Sequence, residues 1–224
     1  METIAKTQVY NLVILDKSGS MESIRKEAID GYNETLGTIR AAQTKHGDTQ
    51  EQFVSLAAFC GCGIEMIYDK TPIDKAEKLT REKYEPCCVT PLFDAIGSSI
   101  KKLKNDIKDI EDAAVLVTII TDGYENASRR YNYETVRKMV EKERDKYGWE
   151  FIFLGANMDA IETAGRFGIH ADRAATYNVD EKGVELNYKV LSETVACMRT
   201  SAAPVGAKWK EAIERDKKTR RQGR

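Results

Sequence analysis

Three short segments carry oxygen donors whose types and spacing suit a hard cation. Asp16-Lys17-Ser18-Gly19-Ser20-Met21 offers a carboxylate and two hydroxyls at alternate positions. Thr121-Asp122-Gly123 adds a second carboxylate, and Cys88-Val89-Thr90-Pro91-Leu92 adds the hydroxyl of Thr90. Asp16, Ser18, Ser20, Thr90 and Asp122 form a set without imidazole, and such donors fit magnesium, manganese or calcium better than zinc or copper. Residues i, i+2 and i+4 converge on one point when a chain leaves a strand and turns into a helix. Gly19 gives that turn its backbone freedom, and Ser20 is also placed to cap the following helix. A helix N-terminus is partially positive and by itself repels a cation. Asp16 and Asp122 must then supply the compensating field, directly or through bound water. Hydroxyl ligands leave most of the ion's charge unneutralised, so the ion stays electrophilic and seeks an anionic ligand from outside.

The donors matter only if the fold gathers their segments, and the hydrophobic period predicts that it does. Val9–Leu15 is a short apolar run of the kind a strand buried on both faces requires. Met21 to Thr44 reads as a long helix, with Ile24, Ala28, Tyr32, Leu36 and Ile39 at helical spacing. Phe53–Cys60 and Ile64–Tyr68 are strand-like and joined by Gly61-Cys62-Gly63, a hairpin signal. Pro91 to Ile110 predicts a second long helix with Leu92, Ala95, Ile96, Ser99, Ile100 and Leu103 on one face. Ala114–Thr121 is the most β-branched stretch and reads as a central strand. Tyr133–Tyr147 and Met158–Phe167 read as helices, Phe151–Leu154 and Ala174–Tyr177 as strands, and 183–199 and 207–218 as helices. Strands separated by helices indicate right-handed crossovers. The expected class is α/β: a mostly parallel, six-stranded, doubly wound sheet with one antiparallel edge strand and helices on both faces. Sites in such sheets form beyond the carboxyl ends of the strands, where the strand order switches. All three donor segments lie at that edge.

Asp16-x-Ser18-x-Ser20, Thr90 and Asp122 resemble the metal-ion-dependent adhesion site (MIDAS) of von Willebrand factor type A (vWA) domains. The resemblance covers residues 8 to 178 and implies a Rossmann-like sheet with one antiparallel edge strand. It further implies that the two serines and the threonine approach the metal, that the aspartates act commonly through water, and that a partner's Asp or Glu carboxylate completes the octahedron. Thr90-Pro91-Leu92-Phe93-Asp94-Ala95-Ile96 and Phe153-Leu154-Gly155-Ala156-Asn157-Met158-Asp159-Ala160 look like standalone bacterial and phage members. That likeness suggests assemblies with chaperone-like AAA+ ATPases or stress-response complexes. Family loops before the threonine often carry glycine, whereas this chain has Pro86-Cys87-Cys88-Val89.

Those cysteines raise a second chemistry. Cys60 and Cys62 close the hairpin at the same edge, so four thiols stand near one another and offer a zinc or disulfide site. Zinc pairs are usually spaced Cys-x₂₋₄-Cys, and adjacent cysteines seldom aim at one ion. The reading is therefore four reduced, small apolar side chains. With Cys197 the cysteines number five, an odd count that suits a reducing, cytoplasmic setting. His46 and His170 read as solvent-facing loop residues with no nucleophile motif beside them. Lys17, Met21, Glu125 and Asn126 read as rim residues of the metal site.

Lysine and arginine number 35 against 36 acidic residues, a net charge of −1, which argues against a nucleic-acid coat. The longest apolar runs fall far short of the about 20 residues of a spanning helix. No basic n-region precedes the first apolar run, so no signal peptide is expected. Lys208 to Arg224 is net +5, which leaves −6 to the rest of the chain. A division into a vWA-like domain over 1–180 and a helical, basic extension over 181–224 follows. The leading functional expectation is a non-catalytic, magnesium-dependent protein-binding module, with manganese or calcium as other candidate ions. One alternative is a magnesium-dependent phosphohydrolase with Asp16 as nucleophile, although that chemistry wants a second Asp where Ser18 stands. The other is a metal-independent scaffold that binds through the basic tail.

Overall fold

The computed structural model describes residues 6–156, 158–178, 180, 182–184, 186, 189–190 and 210–222. Strand β1 (Thr7–Asp16) is buried from Val9 to Asp16, because it pairs in parallel with β2 (Gln50–Cys60) on one side and β4 (Ala113–Thr121) on the other. β2 turns through Gly61-Cys62 into antiparallel β3 (Gly63–Pro72). β5 (Glu150–Ala156) and β6 (Ala174–Tyr177) extend the parallel sheet, giving the order β3-β2-β1-β4-β5-β6. This is the expected six-stranded architecture, and its order switches between β1 and β4.

The period of two in each strand divides the core. Val13 and Leu15 join Leu56, Ile120 and Leu154 beneath helix α1 (Arg25–His46), whose Ala28, Tyr32, Leu36 and Ile39 are buried there. Leu12 and Ile14 point the other way with Val117, Ile119, Phe151 and Phe153. That face is covered by α2 (Leu92–Ile107), α3 (Tyr133–Tyr147) and α4 (Ala160–Arg166). All six residues expected on the inner face of α2 are buried. Asn132 caps α3 by accepting from the Thr135 N–H at 3.0 Å, and Gly148 ends it with φ of 67°.

Several boundaries differ from the sequence reading: β2 starts at Gln50, β3 runs on to Pro72, α4 spans only Ala160–Arg166, the C-terminal helix runs on to Gln222, and two more lie in the helices beside the site. Gly19–Ile24 forms a 3₁₀ turn and α1 begins only at Arg25. The Gly19 N–H donates to the Cys88 carbonyl at 3.0 Å and the Met21 N–H to the Ser18 carbonyl at 3.1 Å, which holds the tighter turn. α2 ends at Ile107 rather than Ile110. The C-terminal helix α5 (Glu211–Gln222) lies against β6. Its Ile213 enters the core below α1, and the buried Lys210 just before it donates to the carbonyls of Ala171 and Ala174 at 2.6 and 3.1 Å. Residues 182–184, 186 and 189–190 are helical, and the remainder of the helix expected over 183–199 lies outside the described residues. No helix among the described residues is long and apolar enough to cross a membrane.

Candidate metal centre

β1 and β4 end side by side, so Asp16 and the Thr121-Asp122 pair emerge from adjacent strands at the switch in strand order. Asp16 is fully buried, and Ser18, Thr90 and Asp122 are buried as well, while Ser20 is exposed. Asp16 Oδ1 accepts from the Ser18 N–H at 2.7 Å and Oδ2 from the Thr121 hydroxyl at 2.6 Å. Ser20 Oγ donates to Asp122 Oδ1 at 2.6 Å and lies 3.3 Å from Ser18 Oγ. Thr90 reaches the group through Gly123: a Cβ there would stand 3.4 Å from Thr90 Oγ1. Asn126 fixes Thr90, since its side-chain oxygen accepts the Thr90 N–H at 2.9 Å and its own N–H donates to the Thr90 carbonyl at 3.2 Å. The five residues expected at the metal are thus brought to one end of the sheet.

Burial dominates the electrostatics of this group. Removal from water lifts the Asp16 carboxyl to about 6, against which the hydrogen bonds from Thr121 and Ser18 pull downward. The Asp122 charge adds to the rise, and burial also raises Asp122 itself. No lysine or arginine is among the groups that set either carboxyl. Two buried carboxylates among hydroxyls, without a cationic partner, form a site that a hard divalent cation would neutralise. Each Asp16 oxygen still has a lone-pair position beyond its one hydrogen bond, so the donor set fits such an ion, directly or through water.

No family model and no curated protein sequence matches the chain. Solved structures do. The pilus adhesin SpaC of Lactobacillus rhamnosus GG aligns with a TM-score of 0.60 at 14% identity, over 86% of this chain and 30% of that one. Proximal thread matrix protein 1 of the mussel byssus, in a form with a zinc-occupied MIDAS motif, aligns with a TM-score of 0.55 at 13% identity, over 86% and 49%. Manganese-loaded TRAP protein of Plasmodium vivax aligns with a TM-score of 0.51 at 15% identity, over 80% and 71%. The chain has a vWA fold. It spans about half or less of the first two of these proteins.

Within this vWA fold several residues do work that the sequence reading missed or misplaced. Met21 is a core side chain, not a rim residue: it is 1% exposed and packs with Ile24 and Tyr32. Ser20 does not cap a helix. It sits inside the 3₁₀ turn and spends its hydroxyl on Asp122. Glu125 is turned inward, accepting from Phe93 N–H at 2.8 Å, from the N–H groups of Ala127 and Ser128 at 2.8 and 2.6 Å, and from the Ser128 hydroxyl at 2.7 Å. Asp94 does the same for the N–H groups of Arg129, Arg130 and Tyr131 at 3.0, 2.8 and 2.8 Å. Together they lash the loop carrying Asp122 and Asn126 to the start of α2. Thr121 and Tyr84 hold Asp16 without belonging to the donor set. Tyr84 is fully buried and its hydroxyl donates to the Asp16 carbonyl at 2.5 Å, fixing the end of β1. Lys17 pairs with Glu65 at 2.8 Å. His46 is the last residue of α1 rather than a loop residue, and His170 is exposed.

Proposed function

We propose that this chain is a divalent-metal-dependent protein-binding module without catalysis of its own. The observation that carries the reading is the buried pair of Asp16 and Asp122, linked through Ser18 and Ser20 and supplied with hydroxyls but with no lysine or arginine to neutralise it. Ser18, Ser20 and Thr90 would hold the ion with their hydroxyls, and Asp16 and Asp122 would hold it directly or through water. When bound, the ion supplies an electrophilic position that an outside carboxylate can occupy. Magnesium is the ion we assign, with manganese and calcium as substitutes. The zinc and manganese named for two structural neighbours support a divalent cation at this place.

The surroundings suit a protein ligand. Val89 and Tyr124, 49% and 59% exposed, flank Thr90 and Asp122 and are two of the exposed large apolar side chains among the described residues. They offer a docking protein apolar surface to bury beside the ion. The phosphohydrolase alternative is weaker, because Asp16 is buried with both oxygens accepting hydrogen bonds. The tail alternative is weaker too, because Lys210 is spent on β6 and its approach. The assigned partner presents an Asp or Glu carboxylate, with AAA+ ATPases and stress-response complexes as the class to examine first. The setting we assign is cytoplasmic, and the division at residue 180 belongs to the same reading.

Calorimetric titration of the full chain with manganese tests the ion: one site is expected in the wild type and none in Asp16→Ala or Asp122→Ala. Affinity capture by immobilised wild-type and Asp16→Ala protein, in magnesium and in chelator, tests the partner. Binding that survives both the substitution and the chelator at full strength sinks the proposal.

A further inference from the structure

A second cluster lies on the other side of the loop that carries Thr90. Cys60 and Cys62 come from the β2–β3 hairpin, and Cys87 and Cys88 from the segment before α2. Cys87 Sγ is 3.5 Å from Cys60 Sγ and 3.8 Å from Cys62 Sγ, and Cys62 Sγ is 3.2 Å from Cys88 Sγ. The sulfurs of Cys60, Cys62 and Cys87 all lie within 4.8 Å of one another. A zinc ion bonded to four thiolates at about 2.3 Å requires neighbouring sulfurs to stand about 3.8 Å apart. Cys62 and Cys87 each face two other thiols. Three of the thiols thus converge as the ligands of one ion do, and Cys88 stands beside that group through its contact with Cys62, whereas a disulfide needs only one partner for each sulfur.

The backbone is shaped to permit this meeting. Cys88 has φ of 63°, a left-handed conformation that strains a side chain and would be free for glycine. That turn lets adjacent cysteines both face Cys62, which their sequence spacing alone argues against. Gly61 supplies the close approach: a Cβ there would stand 2.7 Å from Val89 Cγ2 and 3.1 Å from Cys88 Cβ. A strained cysteine held where glycine is easier indicates a functional demand on the thiol. Cys62 and Cys88 are exposed and Cys87 is half-buried, so of the four only Cys60 is packed as a small apolar side chain.

We propose that Cys60, Cys62, Cys87 and Cys88 form a structural zinc site, separate from the oxygen-donor centre. Binding converts four thiols to thiolates and releases four protons, with no change of oxidation state. The ion would clamp the hairpin to the loop that presents Thr90.

Cobalt is the probe. The reduced full-length chain, stripped of metal and given one equivalent of cobalt, is expected to develop the intense tetrahedral thiolate spectrum, which zinc then abolishes. Zinc content after dialysis should be one per chain in the wild type and in Asp16→Ala, which separates this site from an ion held by oxygen donors. Cys62→Ser and Cys88→Gly should lose it. Cys88→Gly also guards against a merely misfolded variant, because relief of the left-handed strain should leave its metal-free melting point at or above that of the wild type. At zinc levels of 100 to 1,000 times the dissociation constant, zinc should raise the wild-type melting point by roughly 5–15 °C and that of Cys88→Gly not at all. Absence of the thiolate spectrum overturns the assignment. So does zinc retained by both cysteine variants, or prior closure of the four thiols into disulfides under the same reducing conditions.

Discussion

Replacing Asp16 by asparagine should stabilise the metal-free protein while abolishing its ion. Asp16 is fully buried, and burial lifts its carboxyl from 3.8 to about 6. Near pH 7.5 the fold must keep ionised a group that it prefers protonated. A shift of about two units is worth about 3 kcal/mol, and with the side chain fully buried solvent screening takes little from it. The sign follows from proton linkage. The folded state binds the proton more tightly than the unfolded chain, so stability is fully present below the ordinary carboxylate range and is lost as pH rises through about 6. Asparagine escapes this loss and keeps the local bonds. Its amide oxygen can accept from Ser18 N–H, as Asp16 Oδ1 does, and its amide nitrogen can donate to Thr121 Oγ1. Thr121 can then give its own hydrogen to the Gly123 carbonyl, 3.1 Å away. In a chain of this length 1 kcal/mol moves the melting point by about 2–4 °C. Chelator-treated Asp16→Asn should therefore melt roughly 6–12 °C above the wild type near pH 7.5, and the gap should shrink to a small fraction near pH 4. Manganese should raise the melting point of the wild type and leave the variant unmoved. Equal metal-free stability of the two proteins near pH 7.5 would refute the reasoning, since Asp16 would then already have its countercharge.

Three further substitutions probe the scaffold of the site. Asp94→Ala removes the acceptor of three backbone N–H groups and should cost about 2–3 kcal/mol in urea unfolding, at unchanged m-value. Burial pushes the Asp94 carboxyl up, but those three donors outweigh it and leave it lowered. Its contribution is therefore complete above the ordinary carboxylate range and disappears only as pH falls through the lowered value, a loss that acid titration of stability will register. Tyr84→Phe removes the hydroxyl that donates to the Asp16 carbonyl; about 1–2 kcal/mol should be lost, with weaker manganese binding in calorimetry. Gly61→Ala drives a methyl into Val89 and Cys88 and should cost about 1–3 kcal/mol in thermal unfolding, most of it recovered when Val89→Ala is added.

The sheet was legible because each strand states its own burial. Val9–Leu15 and Ala114–Thr121 are apolar on both faces, as only central parallel strands are. Gly61-Cys62 marks the antiparallel turn, and Asn132 and Gly148 bracket α3 with side chains chosen for those positions. Asp16, Ser18, Ser20, Thr90 and Asp122 could be gathered because the topology puts strand ends together. Met21 was open to correction from sequence, since it continues the spacing of Ile24 and Ala28 into the core. Tyr84 left no such trace. It lies in a segment between β3 and α2 whose path is set by distant partners: Asn33 bonds Leu79 at 2.7 and 3.0 Å, and Arg25 Nε donates to the Tyr84 carbonyl at 2.8 Å. Local pattern holds no information about such contacts. For the cysteines, a spacing rule assumes ordinary backbone, and Cys88, with φ of 63°, does not have it.

That strained backbone also joins the two clusters. The Cys88 carbonyl accepts from Gly19 N–H at 3.0 Å, and Cys87 N–H donates to the Lys17 carbonyl at 2.8 Å. The cysteine segment is therefore the wall against which the turn bearing Ser18 and Ser20 is built. Lys17 N–H in turn donates to the Phe59 carbonyl at 2.7 Å, so the same turn is tied to the strand that ends in Cys60. Three hydrogen bonds over-determine the path of this turn, which is what a left-handed cysteine needs in order to persist. Relaxing Cys88 would then reach the serine hydroxyls through the backbone. The serine hydroxyl positions that suit a hard cation depend, in this chain, on a thiol-bearing loop whose own oxygen donor is Thr90.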